Sequence, residues 1–138
     1  MKSYEPLITV YIVNHNYERY LLQSINSVLD QTLQDFELII IDNGSTDGSQ
    51  KLIEKFSPHE KVLTIFQENL GLNTANNTAL GRANGRYLMR VDADDFLDHH
   101  ALQVLSSTLD PVHGTIGCLL HNLLLPPALT SDLCTNLF

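Results

Sequence analysis

Phe36-Glu37-Leu38-Ile39-Ile40-Ile41-Asp42-Asn43-Gly44-Ser45 carries the clearest architectural signal in this sequence. Its first part is almost wholly apolar, which predicts a strand buried on both faces, as in parallel sheets. The part after Ile41 is polar and contains Gly44, which signals a turn. Ligands of open α/β sheets bind beyond the carboxyl ends of the strands. The stretch therefore predicts a buried parallel strand that ends at a binding site.

Strands and helices alternate on both sides of this stretch. Alternation of this kind implies right-handed βαβ crossovers and a mostly parallel sheet, so we predict an α/β, Rossmann-like three-layer sandwich. The predicted strands are Leu7–Val13, Phe36–Ile41, Lys61–Phe66 and Tyr87–Val91, and Thr115–Leu125 is either a strand or a short buried segment. The predicted helices are Tyr20–Leu29, a helix from Asp47 to about Phe56, Leu72–Ala83, and a helix capped by Asp98 that carries Leu102, Leu105 and Leu109.

The helices carry three local expectations. Asp47 is expected to cap the second helix, with Gln50 closing a capping box. The third helix is expected to pack closely through a mostly small inner face, and Gly85 to end it. The residues of that inner face are Leu72, Ala75, Ala79, Leu80 and Ala83.

Length and charge limit the classes of function. The 138 residues are 43% hydrophobic, which suits one globular domain, and the net charge of −8 disfavours nucleic acid and anionic membranes as partners. Cys118 and Cys134 show no metal-type spacing, and we expect free thiols in a reducing compartment. No signal-peptide core and no apolar run of about 20 residues is present, so a cytoplasmic location without a membrane span is expected. Attachment to the inner face of a membrane and oligomerisation stay open.

Three polar clusters lie at predicted carboxyl ends of strands. Because these ends meet at one edge of a parallel sheet, the clusters are expected to form a single site. They are Asn14-His15-Asn16, Asp42-Asn43-Gly44-Ser45 and Asp92-Ala93-Asp94-Asp95.

The acidic cluster that follows Val91 suggests a divalent cation. Crowded carboxylates repel one another unless a cation joins them. Mg²⁺ and Mn²⁺ prefer oxygen ligands and commonly bind through one or two carboxylates together with substrate phosphates. The alternative is a solvated acidic loop that caps the next helix, but Asp98 already fills the capping role.

The other polar segments allow two interpretations each. Asn43 offers an amide edge that suits uracil or thymine, yet Asp42–Ser45 also fits a plain turn. Asn69-Leu70-Gly71 and Asn76-Asn77 flank a helix start that could hold phosphates or a sugar, although exposed capping amides are the simpler explanation. Arg90 lies inside a strand, and an internal pair with a carboxylate is preferred over contact with a diphosphate.

Several familiar motifs are absent from the sequence. The histidines have no HExxH spacing, which disfavours a zinc site, although His15 at a strand end could line a pocket. The sequence contains no GxSxG elbow, no Walker P-loop and no GxGxxG after the first strand. These absences disfavour a serine hydrolase, a P-loop kinase and a dinucleotide-dependent dehydrogenase.

The chain resembles the family 2 glycosyltransferases of the GT-A fold over about residues 7 to 110. The matching motifs occur in the family's order and spacing. They are Ile8–Asn16, Gln31-Thr32, Phe36–Ser49, Asn69-Leu70-Gly71, Asn77, Ala83, Gly85, Tyr87 and Val91–Asp95.

The resemblance implies a donor site and a reaction. Val13 and His15 would line the nucleoside pocket, and Asp42 and Asn43 would face the base. Asp92 would lie near the ribose or the metal, and Asp94 would coordinate Mn²⁺ or Mg²⁺ on the donor diphosphate. The donor-binding set also includes Asn69, Asn76 and Ala93. The implied activity is inverting transfer from a nucleotide-sugar, a UDP- or dTDP-sugar, to a hydroxyl of the acceptor. The acceptor would be a glycan, a lipid-linked sugar or a protein, in the synthesis of polysaccharides or cell-envelope glycans.

The chain also departs from the family pattern. Asn43 replaces a frequent Asp, His15 a frequent Tyr, and Asn76 stands where many members have Arg, so the donor's identity is open. We expect one GT-A domain over residues 1–138, with an atypical, truncated part at 110–138. After Asp98 the only carboxylates are Asp110 and Asp132, neither of which suits a catalytic base, and the base is unknown. The alternatives are a nucleotide-sugar-binding module without turnover, a sugar nucleotidylyltransferase, and a truncation without function.

Overall fold

The computed structural model describes residues 5–109 and the backbone of residues 118 and 119. Strands and helices alternate within them, as predicted, with ends that differ from the predicted ones by a few residues. The strands are β1 (Ile8–Asn14), β2 (Phe36–Asn43), β3 (Val62–Gln67), β4 (Tyr87–Asp92) and β5 (Cys118–Leu119). The helices are α1 (Glu18–Leu29), α2 (Ser49–Glu54), α3 (Leu72–Arg82) and α4 (Ala101–Leu109).

The strands form one sheet in the order β3-β2-β1-β4-β5, and every pair is parallel. β1 lies between β2 and β4 and is wholly covered by the layers on its two faces, apart from Val13, which is half-buried. This position explains why β1 and β2 have so few polar residues, since a parallel strand inside a sandwich meets apolar groups on both sides.

Two apolar cores hold the three layers together. Alternate side chains of β1 point to opposite faces, so Ile8, Val10 and Ile12 join the core beneath α1, α2 and α4. Tyr11 belongs to the opposite core, which α3 covers through Ala75 and Ala79. The predicted three-layer α/β architecture is therefore confirmed.

The inner face of α3 is only partly as predicted. Ala75 and Ala79 are fully buried, whereas Leu72 is 49% and Leu80 is 48% exposed. Leu80 follows Ala79 by about 100° around the helix and so leaves the sheet-facing stripe. Leu72 is the first residue of the helix, at the open edge of the sheet.

Gly85 has a different role from the expected helix cap. α3 ends at Arg82, and Ala83 beyond it is already extended. A Cβ atom on Gly85 would lie 2.4 Å from the backbone nitrogen of Thr9. Gly85 donates its N–H to the Thr9 hydroxyl at 2.8 Å. Glycine is needed here because the chain entering β4 runs against β1.

The capping box predicted for α2 is wrong. α2 begins at Ser49 after Gly48, without a side-chain hydrogen bond from the cap residue. Asp47 accepts from the Ser49 N–H at 2.9 Å, but the Gln50 side chain donates to the Asp42 carboxylate at 3.0 Å instead. Asp98 is confirmed near the start of α4, because its carboxylate accepts from the His100 N–H at 2.9 Å.

Some expectations lie outside the described residues. They concern Asp110, Asp132, Cys134 and most of the segment 115–125, of which the structure describes only β5. Among the described helices, none has the length and hydrophobicity that a membrane crossing requires.

Candidate functional site

The sheet register brings the three polar clusters to one edge. Asn14 pairs with Asp42, and Val13 pairs with Asp92 on the other side of β1. Because neighbouring strands lie about 4.8 Å apart, the ends of β2 and β4 are roughly 10 Å apart across β1. The prediction that the clusters share one edge is confirmed.

Asp42 organises this edge from inside the protein. Its side chain is fully buried. One carboxylate oxygen accepts from the Asn14 amide at 3.0 Å, and the other accepts from the Ser45 N–H and from Gln50, each at 3.0 Å. The buried carboxylate thus holds the end of β2 and the turn after it together, and its contact with a base stays a prediction.

Asn43 is the last residue of β2 and is only 4% exposed, with its side chain held at both ends. Its amide nitrogen donates to Asn69 at 3.2 Å, and its amide oxygen accepts from Gln67 at 2.9 Å. An amide group has two N–H donors and two acceptor lone pairs, and these two bonds use one of each. The contact of Asn43 with a base stays a prediction that this geometry allows.

His15 directly follows β1 at the same edge of the sheet and is half-buried. Its Nδ1 lies 2.9 Å from the backbone oxygen of Asn43. A carbonyl oxygen only accepts, so Nδ1 carries the proton and Nε2 of the neutral ring is an acceptor. Nε2 lies 3.5 Å from the Asn69 amide nitrogen. His15, Asn43 and Asn69 thus form a connected rim at the ends of β1, β2 and β3.

Asn16 is a functional candidate that sequence reasoning did not single out on its own. It has a φ of 61°, a left-handed conformation that asparagine tolerates better than most residues. Its amide oxygen accepts from the backbone N–H groups of Thr46 at 2.7 Å and Asp47 at 3.3 Å. Asn16 therefore ties the loop after β1 to the loop after β2. The signal that could have identified it is an asparagine in the turn between a strand and a helix.

The acidic cluster divides into side chains with different surroundings. Asp92 forms an ion pair with Arg90 at 2.8 Å, which confirms the internal pair preferred for Arg90. Ala93 is buried in the same core as the inner face of α1, and its place in the donor site stays a prediction. Asp94 is exposed, and Asp95 is half-buried with its N–H bonded to the Asp92 oxygen at 3.0 Å.

These carboxylates fit an open cation site. No group of three or more His, Cys, Asp or Glu side chains suited to a metal occurs within the part of the chain that the structure describes, so these residues alone form no closed cage. Asp94 provides an exposed oxygen donor at the strand end, and Arg90 partly neutralises its neighbour Asp92. Mg²⁺-type sites commonly use one or two carboxylates, with phosphates and waters as the other ligands. The donor set suits that arrangement.

The remaining predicted residues lie in different places. Asn69 is exposed on the rim, and Val13 is half-buried next to Asn14. Asn76 is buried on α3, where its oxygen accepts from the Tyr11 hydroxyl at 3.3 Å. This bond gives Asn76 a structural partner beneath the sheet, and its contact with a donor stays a prediction.

Asp47 has the one resolved shift in pKa among the described residues. Burial raises the pKa of its carboxyl, but hydrogen bonds from Ser49 and from the backbone N–H groups of Glu18 and Asp47 outweigh burial and hold the pKa below the ordinary value of 3.8. The charged form is therefore favoured in the folded loop after β2.

Comparison with known proteins gives a consistent family. The sequence pattern described as glycosyl transferase family 2 matches residues 9–118. The glycosyltransferase alr2836 of Nostoc sp. is 44% identical over 98 residues, which cover 70% of this chain and 30% of that protein. Chondroitin synthase of Escherichia coli is 37% identical over 100 residues, which cover 72% of this chain and 15% of that protein. The chain thus spans less than a third of the length of these two relatives.

Solved structures show the same fold. TarS 1–349 of S. aureus superimposes with a TM-score of 0.70 at 25% identity, covering 77% of this chain and 33% of that chain. The structure of TarS 1–349 in complex with UDP-GlcNAc superimposes with a TM-score of 0.70 at 24% identity, covering 86% of this chain and 36% of that chain. The GT-A type of α/β sandwich expected from the sequence is confirmed.

Proposed function

This chain belongs to glycosyl transferase family 2, and from that premise we propose that it binds a nucleotide-sugar, with a divalent cation, for transfer of the sugar to an acceptor hydroxyl with inversion. The observation that carries the proposal is the convergence of Asn43, His15 and Asp94 near one edge of the sheet, beyond the ends of β1, β2 and β4. This is where α/β sheets bind nucleotides.

The acidic end of β4 would hold the diphosphate half of the donor. Asp94 is the proposed ligand of Mn²⁺ or Mg²⁺, with Asp92 beside it in its pair with Arg90. When bound, such a cation stabilises negative charge on the departing nucleoside diphosphate. Arg90 limits the repulsion between Asp92 and Asp94 before a donor arrives, because it neutralises the nearer carboxylate.

The rim of His15, Asn43 and Asn69 would hold the nucleoside half. The second donor and acceptor of the Asn43 amide match the N3–H and O4 edge of uracil or thymine. UDP- or dTDP-sugars are therefore the proposed donors, with Val13 beneath the nucleoside. Asn69 and Asn76 stay proposed members of the donor site.

The acceptor half of the reaction is proposed by analogy with the family. A hydroxyl of a glycan, a lipid-linked sugar or a protein would attack the anomeric carbon after a carboxylate base takes its proton. We assign that base to none of the carboxylates in residues 5–109. The proposed setting is glycan assembly for the cell envelope, in the cytoplasm or at the inner face of its membrane.

Calorimetry tests donor binding. UDP-GlcNAc and UDP are titrated into the chain with and without Mn²⁺, and Asp94→Ala is compared with the wild type. We expect binding that needs Mn²⁺, weakened at least about tenfold in Asp94→Ala, which corresponds to loss of about 1.4 kcal/mol of binding energy. Asp30→Ala is the matched control, because Asp30 is an exposed carboxylate at the end of α1. Equal Mn²⁺-dependent affinity in Asp94→Ala and wild type would contradict the proposal.

A binding module without turnover is the second candidate. It rests on the same donor-binding residues at the edge of the sheet and requires no base. An assay for released nucleoside diphosphate, run with the same samples, separates the two candidates. Metal-dependent binding without release supports the module, whereas release that disappears in Asp94→Ala supports the transferase.

A further inference from the structure

Gln31 and its neighbours on α1 have no part in the site described above, although Gln31-Thr32 is one of the motifs of the sequence. Along α1 and just past its end, Ser24, Ser27 and Gln31 follow one another at helical spacing and so share one side of the helix. That side lies against residues 92–102, which run from the end of β4 to the start of α4 and contain the acidic cluster; we call them the connection. We name Ser24, Ser27 and Gln31 the polar stripe.

Each member of the polar stripe bonds to the backbone of this connection. The Ser24 hydroxyl donates to the Asp92 oxygen at 3.2 Å. The Ser27 hydroxyl accepts from the Leu97 N–H at 3.0 Å. The polar stripe therefore holds the connection at its start and near its middle.

Gln31 holds the far end of the connection. Its side chain is 2% exposed, and it donates to the Asp98 oxygen at 2.6 Å. Its oxygen accepts from the Leu102 N–H, the start of α4, at 2.9 Å. The Thr32 N–H adds a bond to the His99 oxygen at 3.1 Å. Five residues of the connection are thus held by α1 and the two residues Gln31 and Thr32 that follow it.

The connection has few bonds of its own that could replace these contacts. Within it, the N–H of Asp95 bonds to the Asp92 oxygen, and the N–H groups of His100 and Ala101 bond to Asp98. Buried backbone groups outside helices and strands need partners from elsewhere. The serines and the glutamine of the polar stripe provide these partners. They do so in apolar surroundings, because Ser24 is fully buried beside Leu21, Ile25 and Val28.

We infer that Ser24, Ser27 and Gln31 are positioning residues that fix the path of the connection, and thereby place Asp94 for the cation and the donor diphosphate. The inference rests on the proposed function for the identity of the ligand, but not for the geometry. The polar stripe contacts only backbone atoms of the connection, so it acts through Asp94 and not on the donor.

The test compares Gln31→Ala and Ser27→Ala with the control Gln23→Ala, which changes an exposed residue of the same helix. Calorimetry measures the affinity for UDP with Mn²⁺ and for uridine, which lacks phosphates. Hydrogen–deuterium exchange measures the opening of residues 93–100. We expect both variants to lose about tenfold in affinity for UDP with Mn²⁺, and uridine affinity to change by less than about twofold. Exchange in residues 93–100 should rise about tenfold, and exchange in β1 and β2 should not.

The outcomes separate the inference from the proposed function. If the wild type shows no Mn²⁺-dependent binding of UDP, the proposed function fails. The exchange data still test the positioning in that case: increased exchange in the variants supports it, and unchanged exchange refutes it. If the wild type binds but both variants bind and exchange like Gln23→Ala, the inference is overturned. A proportional loss of uridine and UDP affinity also overturns it, because that pattern reports general loss of structure. Should Gln31→Ala not fold, Ser27→Ala, at a half-buried position, decides between these outcomes.

Discussion

Replacing Asp42 by asparagine tests whether this residue is structural. In the native protein its two oxygens accept three hydrogen bonds, from Asn14, from the Ser45 N–H and from Gln50. An asparagine at position 42 keeps one oxygen, which preserves the bonds from Ser45 and Gln50 if it faces them. Its amide nitrogen then meets the Asn14 amide nitrogen, donor against donor.

Asn14 cannot relieve this conflict by turning its amide group over. Its nitrogen also donates to the Ser45 hydroxyl at 2.9 Å, and its oxygen accepts from the Tyr17 N–H at 3.3 Å. The variant therefore loses one hydrogen bond to a charged group and gains an unfavourable contact in a fully buried place. The expected cost is about 2–4 kcal/mol of the free energy of unfolding.

Urea unfolding followed by circular dichroism measures this cost, with Asp30→Asn as an exposed control. The control should lie within about 0.5 kcal/mol of the wild type. An Asp42→Asn variant as stable as the control would refute the structural role. It would leave contact with the base as the remaining proposed role of Asp42.

Two further predictions concern stability. Gly85→Ala should lower the free energy of unfolding by about 1–3 kcal/mol, because the new Cβ would lie 2.4 Å from the Thr9 nitrogen. Gly81→Ala is its matched counterpart in α3, where no atom lies within 4 Å of the new Cβ, and it should raise stability by about 0.5–1 kcal/mol; thermal unfolding of both variants checks the pair, and equal effects would contradict the packing argument. For pH, the folded pKa of Asp47 is below 3.8, so its contribution to stability is present above that value and is lost as pH falls through the folded pKa. Between about pH 5 and 3, the free energy of unfolding measured in urea titrations should therefore fall more for the wild type than for Asp47→Asn. If it falls equally in both proteins, the bonds from Ser49 do not favour the charged form.

The sequence by itself determined the alternation of strands and helices, because buried runs and helical spacing are local patterns. It also determined that three polar clusters lie at one edge, since the carboxyl ends of parallel strands meet there once the order of elements is known. The pair of Arg90 with a carboxylate was predictable for a similar reason, because Arg90 and Asp92 lie two positions apart on the same strand.

Only the tertiary structure decided which polar residues are buried and bonded to other parts of the protein. Asp42 lies next to a turn, yet its bond to Asn14 spans 28 residues, and the bond of Gln31 to Leu102 spans 71. Partners so distant leave no periodic trace in the sequence, so neither the burial of Asp42 nor the polar stripe could be predicted from it. The physical reason is that a polar side chain carries the same donors and acceptors in both roles, and only the packing around it determines whether protein or ligand satisfies them.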